Sequence, residues 1–147
     1  MTQTGIARAR TELAAARLLS ENGFAAAAVS RAFHAAFYAA ETALLVLGET
    51  RTKHSDVVSA FVRRVVRERA LDPRAGQLLR SLFNRYWLAD HSYETTPDDE
   101  AAAALQDATF VVEAVVAWLA EPERSSPPDP GNGATRKPAR PARRNRT

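Results

Sequence analysis

The sequence predicts an all-α protein: an up-and-down bundle of four or five helices, followed by a basic C-terminal tail without fixed structure. Three observations carry this reading. Alanine dominates the 147 residues, 46% of side chains are hydrophobic and there are only six glycines, a composition that favours helix over strand. Apolar residues recur at spacings of three and four and do not alternate as on a strand. From Pro122 onward the composition changes abruptly, with six of the eight prolines and no apolar period, the signature of a segment that cannot bury a core. The expected division is a bundle over residues 1–120 and a disordered Pro/Arg-rich tail over 121–147.

The first helix spans about Thr4 to Ser20, with Ile6, Ala9, Leu13, Ala16 and Leu19 inward and Asn22-Gly23 as its stop. The second runs from about Phe24 to Leu47 and is the most apolar, so its stripe of Val29, Phe33, Ala36, Phe37, Ala40, Leu44 and Leu47 belongs at the centre. Arg31, His34, Tyr38 and Glu41 form a polar stripe on the same helix. A half-buried cation there needs a partner, for example a carboxylate of a neighbouring helix for Arg31.

Gly48 ends this helix, and a third follows from His54 or Ser55 to Arg69. Val58, Phe61, Val62, Val65 and Val66 point inward, with Arg63, Arg64, Arg67 and Arg69 outside, a face for a phosphate backbone or, more commonly, for solvent. Asp72-Pro73 is a good start for the fourth helix, with Asp as cap and Pro at the first position. Its core stripe is Leu78, Leu79, Leu82, Phe83 and Tyr86. Asp98 is expected to cap the fifth, which buries Leu105, Ala108, Val112, Val115, Val116 and Leu119.

The net charge of +3 belongs to the tail. Residues 121–147 hold seven basic and three acidic side chains, whereas the first 120 hold 13 basic and 14 acidic. The absence of cysteine excludes disulfides and thiolate metal sites and is compatible with a reducing compartment. The run from Ala35 to Leu47, interrupted by Glu41, is too short to span a bilayer. No membrane association and a cytoplasmic location are therefore expected.

Chemistry concentrates in Arg85-Tyr86-Trp87-Leu88-Ala89-Asp90-His91-Ser92-Tyr93, at the end of the fourth helix and before the turn at Thr95-Thr96-Pro97. Helix ends let polar side chains leave the core and reach a ligand. Six residues on a regular helix turn through about 600°, leaving Arg85 and His91 about 120° apart. The residues that share the face of His91 are Asn84 and Trp87. Taken alone, Arg85 reads as the partner of an acidic neighbour and His91 as a cation at a helix C-terminus. His34, His54 and His91 have no metal-ligand spacing with nearby carboxylates, so neither metal nor cofactor is expected.

A family resemblance adds to this. The stretch Ala14 to Leu19, then Gly23-Phe24, then Ala28-Val29-Ser30-Arg31-Ala32-Phe33-His34-Ala35-Ala36-Phe37 resembles the first two helices of HEPN domains, small helical bundles often encoded beside minimal nucleotidyltransferases. Thr52-Lys53-His54 and Phe61 resemble the same branch. Arg85 to Tyr93 matches the family's hallmark of an Arg followed after a short gap by a His; here Tyr86 to Asp90 lie between them. The resemblance covers about residues 7–119. Two departures stand out. Tyr86 follows the Arg where nuclease members often carry a small polar residue. Ala89-Asp90-His91 stands where the nearest branch often has Ala-Asp-Tyr.

The resemblance implies metal-independent RNA cleavage by a homodimer in which Arg and His meet across the interface. His91 would be the general base and Arg85 the phosphate clamp, with Asn84, Asp90 and Ser92 in support. It also implies a nucleotidyltransferase antitoxin as partner, and Tyr93, in the His-x-Tyr position, as a place where that partner attaches nucleotide. The alternative is a non-catalytic HEPN module that binds a nucleotide or a partner protein.

Overall fold

A computed structural model describes residues 2–50 and 53–126 of the protein. Its helices are α1 (Thr2–Glu21), α2 (Ala25–Val46), α3 (His54–Ala60, continued without a break by a π-helical stretch, Phe61–Arg67), α4 (Pro73–His91), α5 (Asp98–Leu119) and a short α6 (Pro122–Ser125). Among the described residues there is no strand. The all-α bundle read from the sequence is the fold.

Helix α2 is the central member because small side chains let neighbours approach it on several sides. Eight of its alanines are buried, at 25, 28, 32, 35, 36, 39, 40 and 43, together with Val29, Phe33, Phe37 and Leu44. It packs against α1, α3, α4 and α5. The α1–α2 hairpin turns at Gly23, whose φ of +82° is the left-handed conformation that glycine adopts without penalty. Arg31 on α2 meets Glu12 on α1 at 2.9 Å, the neighbouring-helix carboxylate its half-buried position called for. Near the far end of this pair Gly5 lies so close to α2 that a Cβ would overlap Thr42 Oγ1.

Beyond Ala60 the third helix widens into the π-helical stretch instead of remaining α-helical to Arg69. Val57, Val58, Phe61 and Val65 are buried, while Val62 and Val66 rest against Gly76 of α4. The arginine face is only partly solvated. Arg64 pairs with Glu49 at 2.6 Å, and Arg69 donates to the carbonyl of Ser126 at 2.6 Å. Asp72 caps α4 by accepting the Arg74 N–H at 2.9 Å. Asp98, expected as a cap, instead opens the first turn of α5 with Asp99 and Glu100; Pro97 occupies the cap position. Three carboxylates still face the positive end of that helix.

Helix α5 is antiparallel to α1, with Arg10 and Glu113 paired at 2.7 Å. Among the described residues it alone is long and apolar enough to cross a bilayer, but its apolar stripe packs on α1, α2 and α4. Its largest buried side chain, Trp118, donates its indole N–H to the Arg69 carbonyl at 2.9 Å. After α5, Pro122 starts α6 and Arg124 donates to the Ala70 carbonyl at 2.6 Å. The rest of the expected tail, 127–147, lies outside the described residues, as do Arg51 and Thr52.

Because the Gly5–Thr42 approach leaves no room for a methyl group, Gly5→Ala should destabilise the protein by about 1–3 kcal/mol. Thermal unfolding should show most of that loss recovered in the Gly5→Ala/Thr42→Ala double variant.

Candidate functional site

Helix α4 keeps its turn through His91, so its final turn does not unwind. Arg85 and His91 therefore stay on different faces, and within one chain the structure does not bring them together. Ser92 follows in extended conformation, donating its N–H to the Leu88 carbonyl at 2.9 Å. Its Oγ accepts the Glu94 N–H at 3.0 Å, which starts the turn toward α5.

Arg85 faces α5. Its Nη2 donates to Asp107 Oδ2 at 2.8 Å, and its Nε lies 3.9 Å from Glu100. The Arg85 side chain is 20% exposed and the Nε has no hydrogen-bond partner. The guanidinium thus lies beside a shallow depression lined by Leu88, Ser92, Glu94, Thr95 and Glu100. A cation in this position ties α4 to α5.

His91 is on the surface. Its ring stacks on Trp87 with centroids 4.1 Å apart and planes at 13°, and its Nδ1 lies 2.8 Å from the Trp87 carbonyl. A carbonyl only accepts, so Nδ1 carries the proton and the Nε2 lone pair is turned away from the helix. An imidazole held this way is a preoriented base.

The supporting residues are dispersed. Asn84 lines a groove between α3 and α4 with Val62, Val66, Gly76, Arg80 and Ser81. Asp90 and Tyr93 are exposed, whereas Tyr86 turns inward and stacks on Phe33 at 4.7 Å. Among the described residues no hydrogen bond or ion pair joins Asn84, Asp90 or Ser92 to Arg85 or His91. Two features mark this end of the bundle. Leu18, Phe24, Trp87, Leu88 and Tyr93 are all exposed apolar side chains near the α1–α2 turn and the α4 C-terminus. The chain from Asp90 to Glu100 carries five carboxylates, and no Lys or Arg occurs between Arg85 and Arg124. Among the described residues no group of three or more His, Asp or Glu is placed to hold a metal ion.

Sequence reasoning did not foresee the meeting of His34 and His54. It read the first as one of a polar stripe and the second as a helix start. Their ring centroids lie 5.5 Å apart, in a cluster with Phe33, Phe37 and Tyr86. Burial pushes the His34 imidazole below its usual range, aided by the nearby charges of Arg31 and His54, while its hydrogen bond to the Ser30 carbonyl opposes the shift.

The HEPN domain family model matches residues 3–121 of the chain. A Methanocaldococcus jannaschii protein named "putative toxin" is 29% identical over 113 residues, covering 77% of this chain and 84% of its own length. A Thermotoga maritima protein named "UPF0332 protein" is 33% identical over 84 residues, covering 57% of this chain and 64% of its own length.

Removing the Asp107 carboxylate leaves a half-buried guanidinium short of its partner. Asp107→Ala should therefore cost about 1–3 kcal/mol in urea denaturation, and Glu100→Gln less than about 0.5 kcal/mol. The depressed His34 imidazole also links stability to pH. The unfolded chain takes up its proton near pH ~6.5 while the folded chain resists it. This contribution is present above that pH and is lost as pH falls toward the folded value. His34→Gln should show a smaller drop in urea midpoint than wild type between about pH 7.5 and about pH 5.5.

Proposed function

The chain belongs to the HEPN domain family, and on that premise we propose that it is a toxin-type endoribonuclease, working without metal as a homodimer and held in check by a nucleotidyltransferase-type antitoxin. The likeness to a protein named "putative toxin" supports the biological role. The observation that carries the chemistry is His91, with Nδ1–H fixed by the Trp87 carbonyl and Nε2 open to solvent. In this reading Nε2 takes the proton of a ribose 2′-hydroxyl, and the 2′-oxygen attacks the adjacent phosphorus. The bond to the 5′-oxygen breaks, that oxygen is protonated by imidazolium or water, and a cyclic phosphate remains.

Arg85 is the phosphate clamp, offsetting charge on the non-bridging oxygens. Since Arg85 and His91 lie on different faces of α4, the site takes the His of one subunit and the Arg of the other. The exposed apolar side chains around Trp87 supply contact area for that pairing. Asn84, Asp90 and Ser92 position groups at the shared site. Tyr93 is fully exposed and is the acceptor for an inactivating nucleotide: its phenolate oxygen attacks the α-phosphorus of a nucleoside triphosphate held by the partner, and pyrophosphate leaves. The basic C-terminal segment, 121–147, adds non-specific affinity for RNA. The setting is cytoplasmic.

The second reading, a non-catalytic module for a nucleotide or a partner protein, is favoured by a different observation. Arg85 is already engaged by Asp107 and Glu100, and the carboxylates from Asp90 to Glu100 repel an RNA backbone.

Induced expression of the wild type should arrest growth and fragment total RNA, and His91→Ala and Arg85→Ala should do neither. With purified protein, each substitution should slow cleavage by about 100-fold or more, and chelation of metal should leave the rate unchanged. Soluble, dimeric wild-type protein that neither arrests growth nor cuts RNA would sink the nuclease reading and leave the binding module.

A further inference from the structure

A second group of reactive side chains lies where α2, α3 and α4 meet, away from the C-terminal end of α4. His34 and His54 stand edge to face, 5.5 Å between centroids with planes at 82°. Tyr86 contacts both, at 5.2 and 5.9 Å, and Phe37 contacts both from the core side. Both imidazoles remain half-exposed. The His34 Nδ1–H is occupied by the Ser30 carbonyl at 2.8 Å. Its Nε2 and both ring nitrogens of His54 have no hydrogen-bond partner among the described residues.

Charges of both signs surround this pair, with Glu41 on the same stripe of α2 and Asp56 two residues after His54. From α2 comes Arg31, whose Nη2 is 3.5 Å from His34 Nδ1, and Tyr38, 6.2 Å from the His34 ring. From α1 come Arg8, placed 4.2 Å over the Tyr38 ring, and Glu12, which Arg31 already engages. Exposed Lys53 precedes His54, and α4 contributes only Tyr86. An aromatic cluster built for packing alone would be served as well by phenylalanine. Here two imidazoles and a guanidinium stand close together, and an anion between them would offset their mutual repulsion once the rings are protonated.

We propose that His34, His54 and Arg31 form a binding site for a phosphate group, carried by a mononucleotide or by an RNA strand. Once protonated, His34 Nε2–H and His54 donate to phosphate oxygens, and Arg31 adds charge. The site is independent of the nuclease reading, since it uses neither Arg85 nor His91.

The test is NMR of the histidine rings in the full chain at about pH 6, where imidazoles titrate, with inorganic phosphate, AMP and a short RNA added in turn. The His34 and His54 signals should move together and titrate at higher pH when the anion is bound, while His91 stays in place with phosphate or AMP. A response to phosphate and AMP assigns the site to free nucleotide; a response to RNA alone assigns it to the RNA backbone. His54→Phe keeps the ring packing and removes the nitrogens, and should weaken binding by about tenfold, whereas His91→Ala should not change it. The proposal is overturned if no additive moves the two signals, if phosphate or AMP moves His91 equally, or if His54→Phe binds phosphate as wild type does.

Discussion

Everything in this molecule depends on how closely other helices approach α2. Its buried alanines remove the side-chain layer that would hold neighbours apart, and four helices settle on it. Dispersion contacts and burial of apolar surface then act over short interaxial distances, where helices interlock well. The same closeness explains the polar devices at the seams. Arg31 on α2 meets Glu12, and Arg85 on α4 has to find Asp107, because the Arg85 guanidinium is largely shielded from bulk water. These pairs fix which helix lies beside which more than they add to total stability.

Electrostatics divide the surface into two regions of different character. The end that carries His91 is rich in carboxylates and exposed apolar side chains, a combination better suited to a protein surface than to a bare phosphate backbone. The region around His34 and His54 gathers Arg8, Arg31 and Lys53, with Glu12 paired to Arg31. A HEPN protein with both features can meet a protein partner at one end and an anion at another without the two competing for one set of cations.

Much of the fold was legible because the signals are local. The α2 stripe, the Asn22-Gly23 stop and the Asp72-Pro73 start each depend on a few neighbouring residues, and each appears where the spacing placed it. What the sequence hid is non-local. Trp118 lies off the stripe read for α5, and its burial depends on the Arg69 carbonyl at the far side of the α3–α4 turn. The π-helical stretch has the same apolar spacing as an α-helix and leaves no mark in composition. Asp98 yielded the cap position to Pro97 although propensity favours Asp there, so the tertiary course of the turn overrode a local preference. At the candidate site, the 120° offset of Arg85 and His91 followed from helix geometry, but the hold of Asp107 on Arg85 and the approach of His54 to His34 required the tertiary fold.

A core of alanines also shapes how this chain can vary over time. In a core of leucines and phenylalanines, damage usually comes from truncation, which leaves cavities. Along α2 there is little left to truncate at Ala28, Ala32, Ala35, Ala36, Ala39 or Ala40, each fully shielded from solvent. Harm there comes from enlargement, since each added methylene pushes two helices apart. Genetic drift at these positions is therefore confined to glycine and serine on one side and blocked on the other. Relatives that diverge widely on their surfaces will keep this helix small.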